Sequence, residues 1–323
     1  MINQPQPMAS QTPSMAGKTF PDSFVIQSIS EHTHTAILLH GLGSKGETFG
    51  RELLRSGVSS SGQSLADSFP GMRFVFPTAQ KRRSSAFKRA TISQWFDIAS
   101  LHDPSKRREL QIDGLTESAK HIWSILRQEA DTVPLQNIIL GGLSQGCAMA
   151  LFVLLSLDFS IGCFIGLSGW LPFCKDMMEL VSYDGPSSEN EEDEVPVFVE
   201  DSDNDGNDES PPIQVINLVR DIVSMGKIDT KRSSHNRQNS SLATPVFLGH
   251  GREDLKINCS LGEEAANALT ELGMDVTWRL YSKLGHWYKI PDEIDDIVDF
   301  LAGKLTIIKA NLGRIQTCEP SLL

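Results

Sequence analysis

Gly142-Leu143-Ser144-Gln145-Gly146 is a G-x-S-x-G sequence. A serine hydroxyl becomes a useful nucleophile only when a neighbouring base takes its proton. The pentapeptide follows the apolar run Asn137 to Leu140 and precedes a helix-like run, the strand–turn–helix setting that lifts a nucleophile off the end of a sheet. Glycines two positions either side of Ser144 leave room for so cramped a turn. A base and a group to orient it should follow later in the chain. After the apolar run Val246 to Leu248 comes His250-Gly251-Arg252-Glu253-Asp254, and after Val276 to Tyr281 comes Leu284-Gly285-His286-Trp287. His286 is preferred as base over His250, His32, His34 and His121, because it follows the expected strand and adjoins a glycine. Asp254 and Glu253 compete for the acidic role. The chemistry expected is acyl transfer through Ser144.

Such a reaction needs donors for a developing oxyanion. The backbone N–H of Gln145, at the helix start, supplies one. The second is expected from an early loop after a strand, where His40-Gly41-Leu42-Gly43 stands, with Leu42 as the donor. Trp95, Trp170, Leu171 and Phe173 are candidates for an apolar acyl groove, and each is equally at home in a core.

These residues need strands and helices to hold them. Thr35 to Leu39, Arg73 to Phe76, Asn137 to Leu140, Cys163 to Leu167, Val246 to Leu248 and Val276 to Tyr281 read as short strands. Asp113 to Glu129, Ala148 to Leu157, Glu263 to Leu272 and Ile294 to Ile308 read as helices. The alternation predicts an α/β fold with a mainly parallel central sheet and helices on both faces. Residues 1–20 are polar, read as a disordered tail, and lack the apolar core of a signal peptide. Residues 21–323 read as one domain, interrupted by an acidic, disordered insertion at 182–243. Within it Ile213 to Met225 has one apolar helical face, either a transient helix or a lid over the site.

The net charge of −12 is concentrated in that insertion: eleven acidic residues and no basic one lie between Glu189 and Glu209. The rest of the chain is near neutral. No broad basic surface is implied, which argues against nucleic acid as a main partner. Five cysteines without a Cys-x-x-Cys indicate neither a disulfide framework nor a zinc ribbon, and favour a reducing cytoplasm. The apolar stretch Cys147 to Leu171 is interrupted by Asp158, serines and glycines, and reads as a buried helix and strand, not a transmembrane segment.

Taken together, His40-Gly41-Leu42-Gly43, Trp95-Phe96-Asp97, the Ser144 pentapeptide, Ser168-Gly169-Trp170-Leu171-Pro172, His250-Gly251 with Asp254, and Gly285-His286 resemble the phospholipase/carboxylesterase family, which includes the acyl-protein thioesterases. The resemblance spans residues 35 to 301 outside the insertion. It implies the α/β-hydrolase fold, a triad of Ser144, Asp254 and His286, and oxyanion amides from Leu42 and Gln145. It implies cleavage of acyl thioesters on proteins, or of oxygen esters of lysophospholipids and small acyl compounds, without a metal or organic cofactor. The partners expected are thus acylated proteins or small acyl esters, with transient membrane contact left open. The chain departs from the pattern at Cys147, where a glycine is common, at Trp287, where a smaller residue is frequent, and in the insertion. Two other readings stand beside the thioesterase: a general carboxylesterase or lysophospholipase with the same triad, and a catalytically silent binding module acting through the acidic insertion.

Overall fold

The apolar runs line up as strands of one sheet, because at three to six residues each is too short to bury its surface as a helix. The computed structural model describes residues 19–182, 209–228 and 240–305. The strands are β1 (Phe24–Ile26), β2 (His34–Leu39), β3 (Met72–Phe76), β4 (Lys81–Arg83), β5 (Thr91–Ser93), β6 (Ile138–Leu143), β7 (Cys163–Leu167), β8 (Val246–Gly251) and β9 (Val276–Tyr281). The helices are α1 (Gly46–Ser56), α2 (Leu65–Ser68), α3 (Ile112–Ala130), α4 (Gln145–Ser156), α5 (Cys174–Ser182), α6 (Pro211–Ile222), α7 (Cys259–Glu271) and α8 (Asp292–Lys304). Seven strands form the sheet in the order β1-β3-β2-β6-β7-β8-β9, and β4 pairs with β5 in a separate hairpin. Within the seven-stranded sheet only β1 runs antiparallel to its neighbour.

Both faces of the sheet are covered, as expected of parallel strands joined by helices. Alternate residues of β2 show this: Ile37 and Leu39 enter the core shared with α3, α4 and α7, while Ala36 and Leu38 enter the core shared with α1 and α8. Helix α4 is buried along its whole length, so it reads as apolar on every side. The pairings Leu39 with Gly142, Leu143 with Leu167, and Gly251 with Tyr281 bring the ends of five parallel strands to one edge. In open α/β sheets that edge is where ligands bind.

The stretch Cys147 to Leu171 is α4 followed by β7, and no described helix is long and apolar enough to cross a membrane. The strands anticipated in the core are all present. The N-terminal tail up to residue 18 and much of the insertion, 183–208 and 229–239, lie outside the described residues. Between those last two stretches the anticipated apolar helix forms as α6, packed into the domain and not laid over Ser144. Val215, Ile216, Val219 and Val223 are buried in the core, and α6 packs on α3, α4 and α5. The Arg220 guanidinium donates to the Ser156 carbonyl at 2.8 Å, at the end of α4 remote from Ser144. Thr116 of α3 donates its hydroxyl to the Ile222 carbonyl at 2.9 Å. The periodic face is visible in the sequence, but the polar segments on either side conceal that it belongs to the body of the domain.

Candidate active site

Strand β6 hands its chain to α4 through a single residue, Ser144, which has φ 58° and ψ −121°. A non-glycine residue reaches such a conformation only when its surroundings impose it, at a cost on the order of 1–3 kcal/mol. Here they do. The Ser144 N–H donates to the Leu167 carbonyl of β7 at 2.8 Å, and its carbonyl accepts from Ala148 at 3.0 Å. A Cβ at Gly142 would lie 2.6 Å from the Leu39 carbonyl oxygen, and one at Gly146 2.2 Å from the same atom. The two glycines therefore let the first turn of α4 press against β2, which projects the serine hydroxyl at the sheet edge.

His286 and Asp254 meet Ser144 there. The His286 Nε2 lies 2.8 Å from Ser144 Oγ, and its Nδ1 lies 2.7 Å from Asp254 Oδ2. A carboxylate accepts, so Nδ1 carries the hydrogen and Nε2 is left to accept the serine proton. The other Asp254 oxygen, Oδ1, accepts the N–H groups of Lys256 at 2.8 Å and Ile257 at 3.0 Å. Burial works against the charge on Asp254, but hydrogen bonds from His250, His286 and the Ile257 N–H outweigh it and hold the carboxyl well below the usual range. The competition between two acids resolves by direction. Glu253 turns away from the imidazole and accepts the Leu284 N–H at 2.9 Å. The rival histidines of the early chain also lie elsewhere: His32 bonds to Thr35, His34 to Thr33, and His121 stacks on Phe20.

The early loop presses directly on the serine. A Cβ at Gly41 would lie 3.4 Å from Ser144 Cβ. Gly43 and Ser44 direct their N–H groups to the carbonyls of Ser93 and Gly41, and neither bond uses that of Leu42. The Gln145 N–H sits in the first turn of α4, where the helix itself provides no acceptor. The Gln145 side chain has a separate task. Its amide accepts from the Trp95 backbone N–H at 3.0 Å and donates to the Phe96 carbonyl at 2.7 Å.

His40, unassigned from the sequence, anchors this loop. Its Nδ1 donates to the Gly41 carbonyl at 2.7 Å and its Nε2 accepts the Ala79 N–H at 3.0 Å. Burial pushes the imidazole down to about 4, against a smaller opposing effect of the Gly41 bond, so it is neutral at physiological pH. Ser168 is a second unassigned support. Its hydroxyl donates to the Trp287 carbonyl at 2.9 Å, beside His286. Both stand in short motifs quoted above, but only the fold shows which carbonyl oxygens they reach.

The aromatic candidates divide. Trp95 is wholly buried, and its indole N–H donates to the His40 carbonyl at 2.8 Å, so it supports the early loop from beneath and forms no groove wall. Trp170, Leu171 and Phe173 line a cavity of about 410 Å³ together with Pro104, Arg108 and Leu261. Ser144 and His286 are not among its lining residues. Cys147, wholly buried, occupies space that Gly166 and Gly169 leave open, and burial pushes its thiol up to about 12. Among the described residues no cluster of His, Cys, Asp or Glu is placed to hold a metal ion.

Known proteins share this sequence and architecture. The family model for phospholipase/carboxylesterase matches residues 21–183 and 219–305. Acyl-protein thioesterase 1 of Gibberella zeae is 28% identical over 87% of this chain and 94% of its own. The protein of the same name from Kluyveromyces lactis is 31% identical over 84% and 92%. Among solved structures, acyl-protein thioesterase 2 of Zea mays superposes with a TM-score of 0.58 at 22% identity, over 88% of this chain and 99% of its own, a likeness of fold. The family match resumes at residue 219, inside α6, so part of that helix belongs to the shared fold. By sequence and by fold, the chain belongs to the phospholipase/carboxylesterase family and is an α/β-hydrolase.

Proposed function

We propose that this hydrolase cleaves acyl esters and thioesters by two-step acyl transfer, with Ser144 as nucleophile, His286 as general base and Asp254 as its orienting carboxylate. The observation that carries the reading is the continuous hydrogen-bonded chain from Ser144 Oγ through His286 to Asp254, at 2.8 and 2.7 Å. As Oγ bonds to the acyl carbon, His286 Nε2 takes the hydroxyl proton and Asp254 stabilises the imidazolium that results. The amides of Leu42 and Gln145 receive the negative charge on the carbonyl oxygen, each contributing about 3 kcal/mol in comparable sites. Collapse expels the thiol or alcohol, which leaves with the proton from His286. Water, deprotonated by the same imidazole, then cleaves the acyl-serine and restores the enzyme.

The preferred substrate is an S-acylated protein, and the enzyme works on it in the cytoplasm. The relatives support this, since those from Gibberella zeae and Kluyveromyces lactis are both named acyl-protein thioesterase 1. The cavity bounded by Trp170, Leu171 and Phe173 offers apolar wall for an acyl chain. The chain acts as a single hydrolase domain over residues 21–323, preceded by a tail.

The test is hydrolysis of a matched octanoyl thioester and octanoyl oxygen ester by wild type and Ser144→Ala. Loss of both activities in the variant supports the nucleophile, and faster thioester cleavage supports the substrate class. Cleavage of the oxygen ester alone would instead select the carboxylesterase reading. A wild type that neither turns over nor is labelled at Ser144 by a fluorophosphonate would overturn both.

A further inference from the structure

His250 lies beside Asp254, in a position that acyl transfer through the triad leaves unused. It is 1% exposed, and its Nε2 sits 3.2 Å from Asp254 Oδ2, the same oxygen that meets His286. The same Nε2 lies 3.1 Å from the Ile257 carbonyl. A carbonyl oxygen only accepts, so Nε2 must carry a hydrogen. On the other side of the ring, Nδ1 is buried without a hydrogen-bond partner. The backbone of α7 passes so close that a Cβ at Gly262 would lie 2.4 Å from Nδ1. The adjoining void holds only about 10 Å³ and is walled by Cys147, Leu151, Leu248, Ala265 and Trp278, too small and too apolar to bring a water to that nitrogen. The ring is therefore held as the Nε2–H form.

We infer that His250 is a positioning residue for the acid: its Nε2–H shares the Asp254 oxygen with His286, locking the carboxylate plane and limiting how strongly Asp254 draws the His286 proton. The inference rests on the proposed triad. Asp254 Oδ2 faces two imidazoles, His286 at 2.7 Å and His250 at 3.2 Å, the latter sharing its one hydrogen with the Ile257 carbonyl, and Oδ1 accepts two backbone N–H groups. Such a carboxylate has no freedom to rotate, and supporting hydrogen bonds of this kind set the orientation of groups that do chemistry. Each donor also withdraws charge from the carboxylate. Removing the His250 donor should therefore make Asp254 a better partner for the imidazolium, and His286 should hold its proton to higher pH. Other ionisable groups near His250 include the Cys147 thiol across the void and Glu293, whose carboxyl approaches the neighbouring Gly249 from α8.

The test compares His250→Gln with His250→Met. Gln places an N–H donor where Nε2 stood, and Met has the same length with no donor. His250→Met should lower kcat about 10-fold or more, change KM little, and move the acid limb of the kcat/KM profile upward by about half a pH unit. His250→Gln should keep kcat within about 3-fold and leave the limb where it is. Equal impairment of both variants with an unmoved acid limb would reduce His250 to a packing role and overturn the inference. Imidazole nitrogen NMR of wild type supplies a check that needs no variant: protonation of His250 at Nδ1 would also overturn it. Loss of activity in Ser144→Ala, measured alongside, keeps the triad reading separate. If that variant stays active the triad fails, whatever His250 does.

Discussion

Glu253 and Leu284 clasp the two late loops together through a reciprocal pair of hydrogen bonds. The Glu253 N–H donates to the Leu284 carbonyl at 3.0 Å, and the Leu284 N–H donates to the Glu253 carboxylate at 2.9 Å. One loop carries Asp254 and the other His286, so the clasp sets how these two side chains approach each other.

The two adjacent acids should therefore respond differently to loss of charge. Asp254→Asn keeps the volume but removes the acceptor that fixes the His286 tautomer, and kcat should fall by about 10³-fold or more. Glu253→Gln keeps an oxygen for Leu284 and should retain kcat within about 3-fold, while Glu253→Ala should lower it about 10-fold. Steady-state hydrolysis of an octanoyl ester by the three variants checks this, and equal losses at both positions would contradict it.

Gly146→Ala places a methyl group 2.2 Å from the Leu39 carbonyl oxygen, a collision with backbone that no side-chain movement relieves. Destabilisation on the order of 4 kcal/mol is expected, seen as a lowered melting temperature or loss of soluble protein. Gly43→Ala meets no atom within 4 Å, although its φ of +80° makes it strained, and it should cost about 1 kcal/mol.

Arg220→Ala should destabilise the domain by about 1–3 kcal/mol, since it removes the bonds to the Ser156 and Gly226 carbonyls from a buried setting. Chain-length preference among acyl esters should not change, because the Arg220 bond to α4 lies at Ser156, at the end of that helix remote from Ser144. Thermal melts and a series of esters from short to long acyl chains separate the two effects. A shift in chain-length preference would return α6 to the role of a lid.

Glu293 at the start of α8 is buried with Oε1 unpartnered, while Oε2 accepts the Lys289 N–H at 2.7 Å. Burial pushes its carboxyl up to about 8, aided by the nearby Asp296 charge and opposed by the Lys289 bond. The folded protein therefore keeps a proton that the unfolded chain releases above its ordinary value of about 4.5. Stability should fall as pH rises from about 4.5 to about 8 and level off above that. In Glu293→Gln the dependence over this window should shrink by roughly one proton, measured by urea melts at several pH values. An unchanged slope would show that Glu293 is ionised in the folded state.

Six of the seven strands of the sheet and the order of Ser144, Asp254 and His286 are legible in the sequence because each rests on local pattern: an apolar run, a glycine turn, a loop after a strand; the three-residue edge strand β1 is too short to show one. Boundaries slip where function intrudes. Strand β6 runs on through Gly141 and Gly142 to Leu143, and α4 begins at Gln145, because glycines carry no apolar signal even when wholly buried. The β4–β5 hairpin is hidden, since Lys81, Arg82 and Arg83 show none of the alternation of a half-buried strand. The roles of His40, Ser168 and Trp95 are not readable at all. They depend on which carbonyl oxygens the tertiary fold brings within reach, and a sequence written in one dimension does not show that.

In the sequence the acidic run stands between α5 and α6, two helices that pack against each other and against the interior. Loop-closure entropy rises only about 0.6 kcal/mol for each doubling of length, so a connection rooted in this way tolerates wide variation. The site between residues 182 and 209 is accordingly a port for grafting. A reporter domain, an affinity sequence or a shortened linker placed there would be joined to a packed two-helix base.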